Sequence, residues 1–367
     1  MNELKYTKFK DINIDDPFFD SLKQDYAEFT KWFEKKGEEF AYIFISDSSI
    51  SNHIDGFLYL KIEPKLIKET TPPLIADGEN WLKVGTFKIN AHGTKLGERF
   101  IKKIFDTAIT SKIKDIYVTI FDKHKQLLNL FEKYGFITEA QKTTNNGKEL
   151  VLCRRISRLS IQVDDILKNY PVIEFSYNDY APKPYLLSIK PEWHTRLLPN
   201  SILQTENASI LQDISPTNSI HKVYLCSMSN VDNLHKGDIL FIYRTTDGKG
   251  PAKYRSVVTS ICVVEEYQNI NTFKNIDLFM RYCAPYSIFT VEELQEYWRN
   301  RNFIHIIRFS YNIALPRRVT RGSLITNAYL PENAYWGFMP LTNEQADTIA
   351  QLGGIYEYSD VYKARIR

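Results

Sequence analysis

Residues 90 to 97 read NAHGTKLG, and an amphipathic helical pattern, ERFIKKIFDTAI, follows directly. A strand that enters a turn holding two glycines, with no acidic residue before the helix, leaves backbone N–H groups pointing outward at a positively polarised helix end. A phosphate or another anion fits such a place, and so does a plain strand-to-helix turn with no ligand. Three other stretches carry groups that neutralise phosphates or stack on bases. Lys190, Trp193, His194 and Arg196 share one short segment. Arg244, Lys249, Lys253 and Arg255 flank the glycine-containing loop TTDGKGPAKYR. Arg317, Arg318 and Arg321 make a third basic patch. Each alone reads as a solvated basic face; the three together point to nucleic-acid contact. Other chemistries lack their residues. His and Cys are scattered without metal-ligand spacing, so no metal is expected, and there is no Walker loop, Gly-x-Ser-x-Gly or Ser/His/Asp set.

The elements that must hold these residues alternate in the first half. PFFDSLKQDYAEFTKWFEKKG reads as one helix with the stripe Phe18, Leu22, Tyr26, Phe29 and Phe33. EFAYIFISDSS and HIDGFLYLKIE read as two antiparallel strands, and GENWLKVGTFKIN as the strand that enters the quoted turn. In the helix beyond it, Leu96, Phe100, Ile101, Ile104, Phe105 and Ala108 share one face, with Lys102, Lys103 and Lys112 on or near the other. KDIYVTIF is a strand, KQLLNLFEKYGF a short helix stopped by Gly135, and GKELVLCRRI a closing strand. Around residues 156 to 184 the pattern turns irregular and proline-rich, which marks a boundary. PYLLSIK, KVYLCSMS, DILFIYRT, RSVVTSICVVEEY and FIHIIRFS then read as strands. TVEELQEYWRN and TNEQADTIAQLGG read as helices capped by Thr290 with Glu293 and by Thr342 with Gln345.

The whole chain bounds the answer. Its 367 residues suggest two domains. A net charge of +3 permits a nucleic-acid partner through local patches without demanding one. Four well-separated cysteines with no Cys-x-x-Cys read as buried free thiols in a reducing compartment. With no apolar leader pattern and no run of about 18 apolar residues, a cytoplasmic protein that does not span a membrane is expected.

KVGTFKINAHGTKLGERFIKKIFDTA and KDIYVTIFDKHKQLLNLFEKYGF together resemble the GNAT superfamily of N-acetyltransferases, over roughly residues 1 to 156. The resemblance implies a mixed sheet with flanking helices and acetyl-CoA as co-substrate. It places the pyrophosphate on His92, Gly93, Thr94, Lys95, Leu96, Gly97 and Glu98, mainly through backbone amides, with Gly97 allowing close approach. Phe87 and Ile89 lie where family members pair backbone groups with the pantetheine arm. Where many members have a tyrosine acid, this chain has Phe131; Tyr134 follows three residues later, and His124 stands where many relatives have Asn. Glu79, Asp122, His124 and Tyr134 are therefore the candidates for proton transfer.

LLSIKPEWHTRLLPNS, the turn Lys236-Gly237-Asp238 before DILFIYRT, and VTSICVVEEY resemble the PUA-like β-barrels that include ASCH domains. That resemblance covers about residues 183 to 350 and implies binding of RNA or a modified nucleotide. The expected fold class is thus α+β: a GNAT-like domain over residues 1–156, a linker over 157–182, and a PUA-like/ASCH-type β-barrel with a few helices over 183–367. The expected function is acetyl transfer to an RNA-linked or RNA-associated amine, with the barrel recruiting RNA or tRNA. Two alternatives stay open: a non-catalytic RNA or modified-base reader that senses acetyl-CoA, and a protein or small-amine acetyltransferase. A homodimer and an antitoxin-type partner protein are further partners that the resemblance leaves open.

Overall fold

The computed structural model describes residues 3–48, 51–90, 95–156, 165–176, 182–201, 219–355 and 362–365. The chain divides into two compact units, Met1–Ser160 and Ile161–Arg367.

The first unit holds β1 (Glu3–Lys8), α1 (Asp20–Asp25), α2 (Phe29–Lys35), β2 (Phe40–Ser48), β3 (Ser51–Ile67) and β4 (Leu74–Ile89). Then come α3 (Leu96–Thr110), β5 (Asp115–Phe121), α4 (Lys125–Lys133), β6 (Ile137–Thr144) and β7 (Gly147–Arg155). Its described strands form one sheet in the order β1-β2-β3-β4-β5-β7-β6. Only β4 and β5 run parallel, and their pairing covers Trp81–Val84 against Asp115–Val118 before it stops. The sheet carries helices on both faces. Phe18, Phe19, Phe29 and Phe33 bury with Phe57 and Tyr59 on one. On the other, Phe87 meets Phe100 of α3 and Phe131 of α4 edge-on at 5.6 and 5.2 Å.

Three expectations are corrected in this unit. The helix expected from Pro17 to Gly37 is broken: a 3-10 turn and α1 end at Tyr26, which is extended (φ −132°, ψ 103°), and α2 begins at Phe29. Tertiary bonds win over the stripe's period: Tyr26 donates its hydroxyl to Glu149 Oε1 at 2.6 Å, and Asn146 donates its amide to both Glu28 carboxylate oxygens at 2.9 Å. Lys102, expected on the polar face of α3, is buried and pairs with Asp106 at 2.6 Å, its stem filling the edge of the apolar face. β1, absent from the sequence reading, pairs antiparallel with β2 at the sheet edge.

The second unit holds α5 (Ile166–Asn169), β8 (Ile173–Ser176), β9 (Pro184–Ile189), α6 (Pro191–Leu197), β10 (His221–Cys226), β11 (Ile239–Arg244), α7 (Ala252–Arg255) and β12 (Val257–Asn269). They are followed by α8 (Ile276–Cys283), α9 (Val291–Asn300), β13 (His305–Thr320), α10 (Arg321–Asn327), β14 (Phe338–Pro340), α11 (Asn343–Leu352) and β15 (Tyr362–Arg365). Its main sheet runs β10-β13-β12-β11-β9-β14, and β9 and β11 are parallel. Three bulges along β12–β13 let this long pair bend around the core. Both capping boxes form as read from the sequence, at Thr290–Glu293 and Thr342–Gln345. The four cysteines are buried and free. The span 157–182, expected to be a linker, is partly folded into this unit: it carries α5 and β8, Tyr170 donates to the Tyr311 carbonyl at 3.1 Å, and Asn312 donates to the Pro171 carbonyl at 3.2 Å. Pro171 sits in the turn between α5 and β8.

Candidate functional site

The splay of β4 from β5 builds the site. Beyond Val84 the facing edges of the two strands diverge, while β4 stays paired with β3 on its other side up to Ile89. The β3–β4 register shifts between Tyr59 and Leu60, which leaves Gly85 as the extra residue of a bulge on β4. A Cβ at Gly85 would come within 2.6 Å of the Tyr59 ring, so only glycine fits there without a shift. The backbone groups of β4 from Gly85 to Ile89 that point toward β5 therefore face a gap, and a chain bearing amides can add there as a short strand.

That gap is part of a cavity of about 990 Å³ within the first unit. Its lining includes Lys95, Leu96, Gly97 and Glu98 at the start of α3, Phe87, Ile89, Val118 and Ile120 from the two strands, and Asp25, Tyr26, Glu63, Lys83 and Glu149. α3 begins with Lys95 in the left-handed region (φ 55°), and among the described residues no N-cap side chain bonds its first-turn amides. Those amides and the helix dipole make an anion site. Glu98 would repel an anion there, but Lys133 pairs with it at 2.8 Å and offsets its charge.

The structure sorts the sequence-predicted residues. Phe87, Ile89, Lys95, Leu96, Gly97, Glu98 and His124 all line this one cavity. His92, Gly93 and Thr94 lie outside the described residues. Gly97 has a packing role that the sequence reading did not give it: a Cβ would meet Leu130 Cδ2 at 2.9 Å and Ile89 Cδ1 at 3.2 Å. Glu79 and Asp122 are exposed and away from the cavity wall, and Asp122 is held by Lys125. Tyr134 is 0% exposed and also off the wall, because it closes the end of α4 against the core. Phe131 is 0% exposed, between Phe87 and Phe136. His124 places Nε2 at 2.8 Å from Asp25 Oδ2. Burial works to raise the Asp25 carboxyl, but hydrogen bonds from Lys123 and His124 outweigh it and hold it below the usual range.

Sequence reasoning missed two carboxylates of the lining, Glu63 and Glu149. Glu63 takes the Tyr117 hydroxyl and lies 3.2 Å from Lys61 and 3.5 Å from Lys83. Burial raises the Glu63 carboxyl, and those bonds and charges more than reverse it. Burial lowers the Lys83 ammonium despite Glu63. Glu149 is 3% exposed, its carboxylate accepts from Tyr26, and Lys142 lies directly across from it in the β6–β7 pair. One signal was present: Glu149, Val151 and Cys153 alternate along β7, which puts a carboxylate in an inward apolar series.

In the second unit the basic segments divide. Lys190, Lys249 and Lys253 are exposed. His194 is 0% exposed, bonded through Nε2 to Thr259 Oγ1 at 2.8 Å, and burial pushes its imidazole down to about 3. Arg244 is buried, and Arg255 is committed to Asp247. Arg196 donates to the Ile288 carbonyl at 2.6 Å. Trp193 is half-buried against Tyr224, Phe289 and Phe303, with Lys190 over its ring at 5.2 Å. His194 and Arg244 therefore do not belong to a basic surface: α6 turns His194 into the core and β11 buries Arg244. Among the described residues no group of three or more His, Cys, Asp or Glu is arranged to hold a metal. No described helix is long and apolar enough to cross a membrane.

No protein-family model matches the chain. No curated protein matches it either. Solved structures do. The NatC complex bound to Gag peptide and CoA contains a chain 17% identical, matched over 42% of this chain and 98% of that one at a TM-score of 0.29. Ard1 from Thermoplasma volcanium is 10% identical over 42% of this chain and 97% of its own, at 0.31. ASCH from Zymomonas mobilis is 13% identical over 46% of this chain and 95% of its own, at 0.30. These are likenesses of fold. With the seven-stranded sheet and the β4–β5 splay of the first unit, and the mixed six-stranded sheet of the second, the chain is an α+β protein.

Proposed function

We propose that the first unit transfers an acetyl group from acetyl-CoA to an amine, and that the second unit recruits an RNA-linked or RNA-associated acceptor. The observation that supports this most is the continuity of one cavity from the uncapped start of α3, along the freed edge of β4, to a wall of carboxylates and aromatics. The amides of Leu96–Glu98 and the Lys95 ammonium suit the diphosphate, and the β4 edge from Gly85 to Ile89 suits the pantetheine amides. When bound, acetyl-CoA supplies the thioester carbon: the amine nitrogen bonds to it, the C–S bond breaks, the thiolate departs, and one proton leaves the amine for a wall carboxylate or water. The protein's own share is positioning: the splay holds the two reactants in one trough, which is worth more than any single proton donor. An acid in place of the missing tyrosine is not needed for that share.

Two further readings each have an observation behind them. The exclusion of Phe131 from the cavity suits a unit that binds acetyl-CoA without turning it over. The inward turn of His194 and Arg244 suits an acceptor other than RNA, a protein or a small amine. The test is titration of the protein with acetyl-CoA, read by calorimetry and by backbone hydrogen exchange. Saturable binding with slowed exchange at Gly85–Ile89 and Leu96–Glu98 is the expected result. Binding without protection there, or no binding, overturns the assignment of the trough. Binding with no thiol release over any acceptor leaves the acetyl-CoA sensor.

A further inference from the structure

Lys83 stands next to Val84, where the pairing of β4 with β5 ends, and its side chain, 20% exposed, lines the trough. Direct cross-strand partners share a face of the sheet. Lys83 has Lys61 of β3 across from it on one side and Tyr117 of β5 on the other. Along β7, Cys153 opposite Tyr117 and Glu149 opposite Lys142 alternate onto that same face. Register therefore gathers lysines from β3, β4 and β6 on one face, and all three line the cavity. Two lining carboxylates meet them. Glu63 takes the Tyr117 hydroxyl and is shared between Lys61 at 3.2 Å and Lys83 at 3.5 Å. Glu149 stands across from Lys142 and accepts from Tyr26. Lys36, at the end of α2, is held by Glu39 at 2.6 Å. Three ammoniums against two carboxylates leave one positive charge over. Burial lowers the Lys83 ammonium, the Glu63 carboxylate works against that, and the charges of Lys142 and Lys61 add to the lowering. Like charges crowded on a half-buried floor repel one another, and an anion brought by a ligand relieves that repulsion. Thr119, two residues beyond Tyr117 on the same face, also lines the cavity and adds a hydroxyl that can donate to such an anion.

We infer that Lys83, Lys61 and Lys142 form an anion subsite, separate from the start of α3, which takes the carboxylate of a small amino acid offered as the acceptor. This deepens the reading of the trough as an acetyl-transfer site and rests on it; among the acceptors left open, it favours a small amine over an RNA-linked one. The two anion places differ in position. Lys83 and Ile89 are six residues apart on β4, about 20 Å of strand, and α3 starts beyond Ile89. A diphosphate at α3 therefore does not serve the lysines. On the same reading the pantetheine arm runs back along β4 from Ile89 to Gly85. That brings the thioester beside Gly85, two residues or about 7 Å of strand from Lys83. An acceptor whose nitrogen meets the thioester and whose anion meets Lys83 has the two groups a few bonds apart. A short amino acid has that build. In an aminoacyl-RNA the ribose and the ester stand between the nitrogen and the nearest phosphate, which separates them by many more bonds. A single surplus charge suits a carboxylate, whereas a phosphate dianion would leave one negative charge over.

The experiment uses the full chain with coenzyme A bound and three probes: β-alanine, β-alaninamide and O-phosphoethanolamine. The first two differ only at the carboxylate. Calorimetry on the wild type is expected to show saturable binding of β-alanine, with β-alaninamide about 10- to 100-fold weaker, the worth of a charged hydrogen bond. O-phosphoethanolamine is expected to bind less tightly than β-alanine. Lys83→Met keeps the stem and removes the charge, and it leaves Glu63 with Tyr117 and Lys61. It is expected to bring β-alanine down to the affinity of its amide while leaving the coenzyme A affinity unchanged. Lys83→Arg keeps the charge and is expected to keep the preference for the acid, and Lys142→Met to reduce it. With acetyl-CoA in place of coenzyme A, Lys83→Met is expected to raise KM for β-alanine more than it lowers kcat. Equal affinity for acid and amide in the wild type, a preference that survives Lys83→Met, tighter binding of O-phosphoethanolamine, or no saturable binding of β-alanine would each overturn the inference. Failure of coenzyme A itself to bind would instead strike the acetyl-transfer reading beneath it.

Discussion

His194 shows how one residue changes meaning once its surroundings are known. In KPEWHTR it reads as a cation beside a stacking tryptophan, yet Lys190 is exposed and Trp193 half-buried while His194 is enclosed. Burial holds its folded-state value near 3, with Arg244 and Arg318 adding to the effect. The folded value lies below the unfolded one, so the unfolded chain takes up the proton first and stability rises with pH. The contribution is fully present above about pH 6.5 and is lost as pH falls toward 3, roughly 3 kcal/mol of it by pH 4. Thermal melts between pH 7 and 4 should show this slope. His194→Gln, which cannot take the proton, should flatten it; an unchanged slope would place the titration elsewhere. Phe131 was legible as a departure from the expected tyrosine, but only its packing against Phe87 and Phe136 removes it from the site.

At the scale of the element, the start of α3 carries the anion site and a packing contact at the same residue. Gly97 faces Leu130 of α4 and Ile89 of β4, so the glycine lets helix and strand approach before any ligand is considered. Two substitutions separate the roles. Gly97→Ala should destabilise the protein by about 1–2 kcal/mol through overpacking, with acetyl-CoA affinity little changed because the first-turn amides remain. Gly97→Glu should abolish acetyl-CoA binding, since it adds bulk and a negative charge at the helix start. Denaturant unfolding and calorimetry on both variants decide the point. Loss of affinity in Gly97→Ala would mean that the ligand itself needs the bare backbone there. The glycines in HGTKLG drew attention in the sequence, whereas Gly85 in KVGTF, at the bulge where the strands part, did not. A glycine inside a strand already signals a bulge or a close approach.

For the whole molecule, the three basic segments of the second unit present fewer cations than their sequence advertises. Lys190, Lys249, Lys253 and Arg317 are exposed, whereas Arg196, Arg255, Arg318 and Arg321 donate to carbonyls or a carboxylate within the unit. If RNA is recruited through these segments alone, few phosphates are neutralised. The logarithm of affinity for single-stranded RNA should then fall against the logarithm of salt concentration with a slope of about −2 to −3, from roughly 0.7 per contact. Filter binding across a salt series measures it. A much steeper slope would mean that cations outside these three segments, such as Lys183, Lys236 or Arg281, also meet the RNA, and an absence of binding would favour a protein or small-amine acceptor.

The sequence by itself determined the elements that follow from local periodicity and capping. The face of α3, both capping boxes, the stop at Gly135 and the strand core of the second half are set by side chains a few residues apart, and they stand as read. Order and spacing of elements also carried the fold of each unit. Tertiary structure alone decided the site. The gap exists because β4 and β5 part after Val84, and the break at Tyr26 exists because a hydroxyl finds a carboxylate far along the chain. Glu149 gains its place from Phe121 and Lys142, its partners on the two neighbouring strands. Pairings between residues distant in sequence leave no periodic trace, because their free energy depends on which groups burial brings together and which it leaves without a counter-charge.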